Sequence, residues 1–253
     1  MQPISAVIIT LNEEKKIGRC IDSLQKVADE VVVVDSLSED KTKEICLEKG
    51  VRFIEHPFEG YIEQKNYALG CATYDYVLSL DADEALSEEL SNSILREKES
   101  GLTAAGYTMN RLTFFAGKPI RHSGWYPDRK LRLFNKTEGR WQGLNPHDEF
   151  KFFKTLKTKH LQGDLLHYSF DTEEDYLQQS DRFAGLSAEA YFQNDIKSSF
   201  FKRTVNPAIR FIRDYFFKKG ILHGRTGFKI SLYNARATRL KYEYLHQLQK
   251  TGK

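Results

Sequence analysis

Short β-branched runs alternate with amphipathic stretches over residues 4–100, and this alternation constrains the chain most, because it calls for βαβ units and a mainly parallel sheet. Ile4–Thr10 reads as a strand, followed by Ile17, Cys20, Ile21 and Leu24 at helical spacing, in a helix expected from about Glu13 with Asn12 as its cap. The strand Glu30–Asp35 precedes a helix around Lys41–Lys49 closed by Gly50, and Val51–Glu55 precedes one around Ile62–Cys71. A fourth strand, Asp75–Leu80, delivers Asp81-Ala82-Asp83-Glu84, and a helix beginning near Ser87 follows, with Glu88 and Glu89 suited to its dipole. From Ala104 to Tyr168, strand-like pieces such as Tyr107–Phe115 and Lys130–Phe134 extend the sheet in mixed fashion. After His167 the chain reads as helical: Thr172–Asp175 has a capping-box pattern, a second helix is opened by Pro207 and closed by Gly220, and a third runs from about Gly227 to Gln249. The expected organisation is an α/β domain over residues 1–168 and a basic, aromatic helical extension over 169–253.

At 40% apolar and 29% charged, the 253 residues exclude a disordered or collagenous chain. Cys20, Cys46 and Cys71 are widely spaced and odd in number, so neither a disulfide framework nor a zinc site is expected, and a reducing compartment fits. With no basic-then-apolar leader and no apolar run near ~18 residues, neither a signal peptide nor a membrane-spanning helix is expected. Charge is divided unevenly: residues 1–150 hold 19 Lys+Arg and 25 Asp+Glu, whereas residues 151–253 hold 19 and 10. Between Lys197 and Lys241, 12 cations stand against Asp214 alone, interleaved with aromatic residues. That composition suits an anionic membrane surface; nucleic acid is not expected, because no helix-turn-helix, zinc or RNA-recognition motif accompanies it. A solvated basic face over an ordinary core contact is the plainer alternative.

In a parallel sheet, ligands bind at the carboxyl ends of the strands, and those ends are acidic here: Asn12-Glu13-Glu14, Asp35-Ser36 and Asp81-Ala82-Asp83. Carboxylates gathered on one rim repel one another unless a cation or a hydrogen-bonding ligand sits among them, which points to a metal-assisted or sugar-nucleotide site. Two carboxylates one residue apart at a turn can reach a divalent cation, although an acidic turn before a helix also serves the helix dipole.

The segments Ile9-Thr10-Leu11-Asn12-Glu13, Val32–Asp40, Gln64–Leu69 and Leu80–Glu84 follow one another in the order and spacing of the family 2 glycosyltransferases, which the chain resembles closely over residues 4–150. A looser resemblance, through Asn145–Phe150 and Leu166–Phe170, is to the bacterial subgroup that builds the lipopolysaccharide core. The resemblance implies a GT-A fold, a Rossmann-like mixed sheet flanked by helices. It also implies an inverting transfer from a nucleotide sugar, usually uridine diphosphate-linked, with Mg²⁺ or Mn²⁺, to a lipid-linked saccharide. Thr10, Asn12 and Glu13 would line the nucleoside pocket, Asp35 would accept from the base, Asp81 would bind on the ribose side and Asp83 would bind the metal, the DXD motif of such enzymes. Lys65 takes the place of a more usual Arg near the phosphates, and Leu37 stands where Gly is frequent.

Inversion by single displacement needs a base for the acceptor hydroxyl. Asp148 is the first candidate and Glu149 the second, since neighbours in an extended segment face opposite ways; a surface acidic pair is the alternative. His167 is either a metal or diphosphate ligand or a buried structural histidine. Trp125, Tyr126, Arg129 and Arg132 are expected on the acceptor side, with core packing of Trp125 as the other reading. A lipid-linked acceptor would place the enzyme in the cytoplasm, peripheral to the inner face of the membrane, with an oligomer possible in principle. A polyprenyl-phosphate sugar transferase and a catalytically silent nucleotide-sugar-binding or membrane-surface scaffold are the other readings.

Overall fold

The β-branched runs form the parallel strands β1 (Ile4–Thr10), β2 (Glu30–Asp35), β3 (Arg52–Glu55) and β4 (Tyr76–Asp81) in the computed structural model, which describes residues 2–144 and 147–252. Their period-two alternation sends side chains to two separate cores. Ile4, Ala6, Ile8, Val33, Leu78 and Leu80 pack on one face with Ile17, Ile21 and Leu24 of α1 (Ile17–Leu24), whereas Val7, Val32, Val34 and Val77 pack on the other with Ala68 and Leu69. Each fully buried aliphatic side chain contributes roughly 1.5–3 kcal/mol, so both faces are anchored.

Two units make up the chain: Met1–Leu112 with Asp128–Tyr168, and Thr113–Pro127 with Ser169–Lys253. The division is discontinuous, since the stretch from Thr113 to Pro127 belongs with the C-terminal helices and not with the sheet domain that surrounds it in sequence.

In the first unit, α2 (Thr42–Glu48) and α3 (Tyr61–Cys71) complete the βα alternation. Beyond β4 come β5 (Glu84–Leu86), α4 (Glu88–Glu99) and β6 (Gly106–Phe115), then β7 (Lys118–Pro119), β8 (Asp128–Asn135), the hairpin β9 (Gly139–Leu144) with β10 (His147–Phe152), and β11 (Thr158–Phe170), of which β7 and the last residues of β6 and β11 are assigned to the second unit. The main sheet runs β3-β2-β1-β4-β8-β6-β11-β5, with β7 paired to β6; it is parallel through β4 and antiparallel at β4–β8 and β11–β5. This is the mixed, helix-flanked sheet expected from the sequence. Ser87 caps α4 by accepting from Leu90 N, as its position suggested.

In the first unit one expected helix start is wrong. Helix α1 starts at Ile17, and Asn12 is not its cap: Asn12 has φ +53° and its side-chain oxygen accepts from Glu39 N at 2.8 Å. A side chain spent on tying two strand-end loops together is not available to cap a helix.

The second unit holds α5 (Glu173–Gln193), α6 (Phe200–Ile212) and α7 (Gly224–Thr251). Thr172 and Asp175 form the anticipated capping box of α5. Pro207, expected to open a helix, lies inside α6, which begins after Ser199, whose hydroxyl accepts from Lys202 N. Gly220 does not close that helix. A π-helical turn, Arg213–Phe217, follows α6, Lys219 takes the left-handed conformation at φ +56°, and Gly220 begins a 3-10 turn ending at His223. Its hydrogen is needed for close approach: a Cβ there would stand 2.6 Å from Ser123 Oγ and 2.7 Å from Asp214 O. The core of this unit is aromatic, with Phe115, Trp125, Phe170 and Tyr176 in mutual contact and Ile230 beside them.

Candidate active site

Strand ends β1, β2 and β4 bring the expected acidic residues together in the first unit. At β1, Thr10 is 5% exposed and its Oγ1 is buried without a hydrogen-bond partner. Asn12 N donates to Ser38 Oγ and Glu13 N to Thr42 Oγ1, so the loops after β1 and β2 are bound to each other. Asp35 closes β2; its Oδ2 accepts from Ser38 N at 2.7 Å and its Oδ1 from Ser38 Oγ. Its remaining lone pairs are what a base edge could use. Leu37, on the turn that follows, has φ +67°, a conformation that glycine adopts at no steric cost.

The centre is an alternating chain of charges. Lys65 Nζ, from α3, is 2.7 Å from Asp148 Oδ2 and 3.1 Å from Asp81 Oδ1. Arg132 Nη2, from β8, is 2.8 Å from Asp81 Oδ2 and 2.7 Å from Glu84 Oε1, while Glu84 Oε2 accepts from Asp81 N. Arg111 reaches Glu84 at 3.5 Å and Asp128 at 2.8 Å. Burial alone would push the Asp81 carboxyl up, but Lys65 and Arg132 outweigh it and hold the group well below the usual carboxylate range. Burial would likewise lower the Arg132 guanidinium, yet Glu84 and Asp81 drive it higher still, so it stays charged. The repulsion anticipated among rim carboxylates is therefore met by the chain's own cations at Asp81.

Asp83 takes a different partner. β11 pairs antiparallel with β5, setting His167 opposite Glu84, and His167 Nε2 lies 3.2 Å from Asp83 Oδ2. Burial opposes ionisation of Asp83, but His167 more than offsets it and the carboxyl is lowered. Among the described residues, no group of three or more His, Cys, Asp or Glu is spaced to hold a metal ion. By donor type the carboxylate and imidazole together would fit Mn²⁺, and the oxygen alone would fit Mg²⁺.

The hairpin turns the adjacent acids to opposite sides. Asp148 faces Lys65 with its side chain 10% exposed, while Glu149 is turned outward, 74% exposed, beside Lys151. Asn145 and Pro146, which head this motif, lie outside the described residues. Of the expected acceptor-side residues, Arg129 is exposed on β8, but Arg132 is 4% exposed and buried under Asp81, which makes it part of the charge chain and not a surface cation. Trp125 belongs to the aromatic core of the second unit, and Tyr126 carries Arg121 over its ring at 5.1 Å.

Two residues of the site went unsuspected in the sequence. Trp141, 3% exposed, lies under Lys65, whose Nζ is 4.6 Å from its ring centroid, and it fixes Asn66 through hydrogen bonds in both directions. Glu84 was legible only as the last acid of the Asp81–Glu84 cluster; nothing in the sequence marked it as fully buried.

The chain is 30% identical over 257 residues to an uncharacterized glycosyltransferase of Rickettsia typhi, covering 98% of this chain and 88% of that protein. It is 29% identical over 226 residues to the lipopolysaccharide core biosynthesis glycosyltransferase LpsC of Rhizobium meliloti, covering 85% and 81%. Among solved structures, glucosyl-3-phosphoglycerate synthase from Mycobacterium tuberculosis aligns over 45% of this chain and 44% of its own, with 26% identity and a TM-score of 0.36, and the ligands bound there belong to that protein alone. The profile described as glycosyl transferase family 2 matches residues 5–163, the whole span that carries the charge chain and its strand ends, and the chain belongs to that family of glycosyltransferases, with the family's GT-A type of α/β fold.

Proposed function

We propose that the protein transfers a sugar from a nucleotide diphosphate sugar, uridine diphosphate-linked, to a hydroxyl of a lipid-linked saccharide by a single displacement that inverts the anomeric centre. One observation carries this reading: Asp148, on the hairpin, and Asp81, at the end of β4, share the ammonium of Lys65. A carboxylate is thereby held beside the strand ends where a donor would lie. Thr10, Asn12, Glu13 and Asp35 would take the nucleoside, Asp81 the ribose side and Lys65 the phosphates. Asp83 and His167 would hold Mg²⁺ or Mn²⁺, which supplies positive charge to the leaving diphosphate.

Asp148 would accept the proton of the attacking hydroxyl. A buried carboxylate at this place favours a hydroxyl acceptor over a phosphate, which needs no deprotonation. The 29% identity to a lipopolysaccharide core enzyme supports a saccharide acceptor of that class.

The test separates binding from chemistry. Asp83→Asn is expected to lose metal-dependent donor affinity in calorimetry. Asp148→Asn is expected to keep that affinity and lose transfer by at least about 10²-fold, the usual scale for a general base. Full transfer by Asp148→Asn would remove the proposed base.

A further inference from the structure

The least ordinary surface of the second unit is the tip between α6 and α7, where Phe216 is 55% exposed, Phe217 80%, Ile221 49% and Leu222 66%. Large apolar groups left adjacent in water mark a surface that meets something else. This tip is built and anchored. Asp214, fully buried beneath it, accepts from Arg210 Nε at 2.6 Å, Arg213 Nε at 3.0 Å and Asn234 Nδ2 at 3.0 Å. Lys218 O accepts from Ser123 N at 2.8 Å, and a Cβ on Gly227 would stand 1.9 Å from Gly220 O, so the two turns are locked against α7.

The charges select the partner. Asp214 is the one acid between Lys197 and Lys241, and Arg210 and Arg213 are committed to it, whereas Lys218, Lys219 and Arg225 are exposed around the apolar tip. A second copy of the same tip would bring like charges together. Aliphatic Ile221 and Leu222 offer a nucleic acid nothing to stack on, but they suit the acyl region beneath a layer of anionic headgroups. We propose that the turns Arg213–Phe217 and Gly220–His223 are a preformed membrane anchor, inserting Phe216, Phe217, Ile221 and Leu222 into an anionic phospholipid leaflet while Lys218, Lys219 and Arg225 engage its headgroups. The anchor deepens the lipid-linked-acceptor reading, on which it rests for its purpose.

The experiment is pelleting of the full chain with vesicles of phosphatidylcholine alone or mixed with phosphatidylglycerol. Binding is expected to the mixed vesicles, weakened as salt shortens the Debye length from ~10 Å at 0.1 M to ~3 Å at 1 M. The double variant Phe217→Ser with Leu222→Ser should reduce partitioning by at least about tenfold, and Lys218→Gln with Lys219→Gln should remove most of the preference for the anionic vesicles. Circular dichroism and donor-dependent thermal shift should stay as in the wild type for both. Wild-type protein that ignores anionic vesicles at low salt would overturn the proposal, as would a Phe217→Ser, Leu222→Ser variant that binds them unchanged. Sedimentation showing a dimer that this variant abolishes, without vesicle binding, would assign the tip to a second copy instead. Vesicle binding in a protein that shows no donor-dependent shift would sustain the anchor and refute the transferase reading alone.

Discussion

The two units invert the usual distribution of side chains in opposite senses. The sheet unit buries charge: Glu84, Arg132, Lys65 and Asp35 are each at most 4% exposed, and all are paired. The helical unit exposes apolar bulk: of the 19 large apolar side chains exposed among the described residues, 12 lie in it, although it is the smaller unit. Both arrangements are costly in isolation, since a buried ion loses hydration and an exposed aromatic orders water. Selection for stability alone would remove each. In the proposed function the buried charge would serve a nucleotide diphosphate and a proton, and in the proposed anchor a membrane would cover the apolar surface.

The comparison is tested hardest at Glu84, whose carboxylate faces Arg132 and Arg111 and accepts from Asp81 N. Glu84→Gln leaves Arg132 with Asp81 alone in a buried setting, and we expect a loss of about 3 kcal/mol in urea unfolding. A loss below about 1 kcal/mol would mean that the network is not a structural support of the sheet unit. A smaller effect is expected at the corresponding point of the helical unit. Asp214 is itself buried, but Arg210 and Arg213 are 39% and 43% exposed and can turn to water. Asp214→Asn should therefore cost roughly 1–2 kcal/mol, and a cost as large as that at Glu84 would erase the contrast between the units. The smallest effect is expected at Leu37, which is 53% exposed with φ +67°. Leu37→Gly relieves a left-handed side chain and loses no buried contact, so thermal unfolding should show no loss and at most about 1 kcal/mol of gain. A clear destabilisation would show that Leu37 packs on something that exposure alone does not reveal.

Much of the sheet unit was legible because its signals are local. Strands β1 and β2 have the expected bounds, β4 lies within a residue of its own, and the caps at Ser87 and Thr172 accept from backbone N–H groups three residues on. The misread boundaries were set by distant partners. Asn12 failed as a cap because Glu39 claimed its oxygen, and Pro207 failed as a helix start because Ser199 had already begun the helix eight residues earlier. In the site, the choice between Asp148 and Glu149 followed the alternation of an extended segment, but which of them turned inward depended on Lys65.

Arg132 shows the boundary between the two kinds of information. The sequence marked it only as one cation among Arg129, Lys130 and Arg132, fit for a charged saccharide, whereas register places it beneath Asp81 and Glu84. By itself the sequence determined the βα alternation, the acids at the strand ends, the aromatic and basic C-terminal third and the family, because these follow from residue type and spacing along the chain. Only the tertiary structure decided that Lys65 joins Asp81 to Asp148, that Trp141 lies beneath that lysine, that Thr113–Pro127 belongs to the helical unit and that the apolar tip stands on a buried Asp214. Each of these joins residues far apart in the chain, and pairing at a distance is fixed by the packing of whole elements, a property that no local spacing encodes.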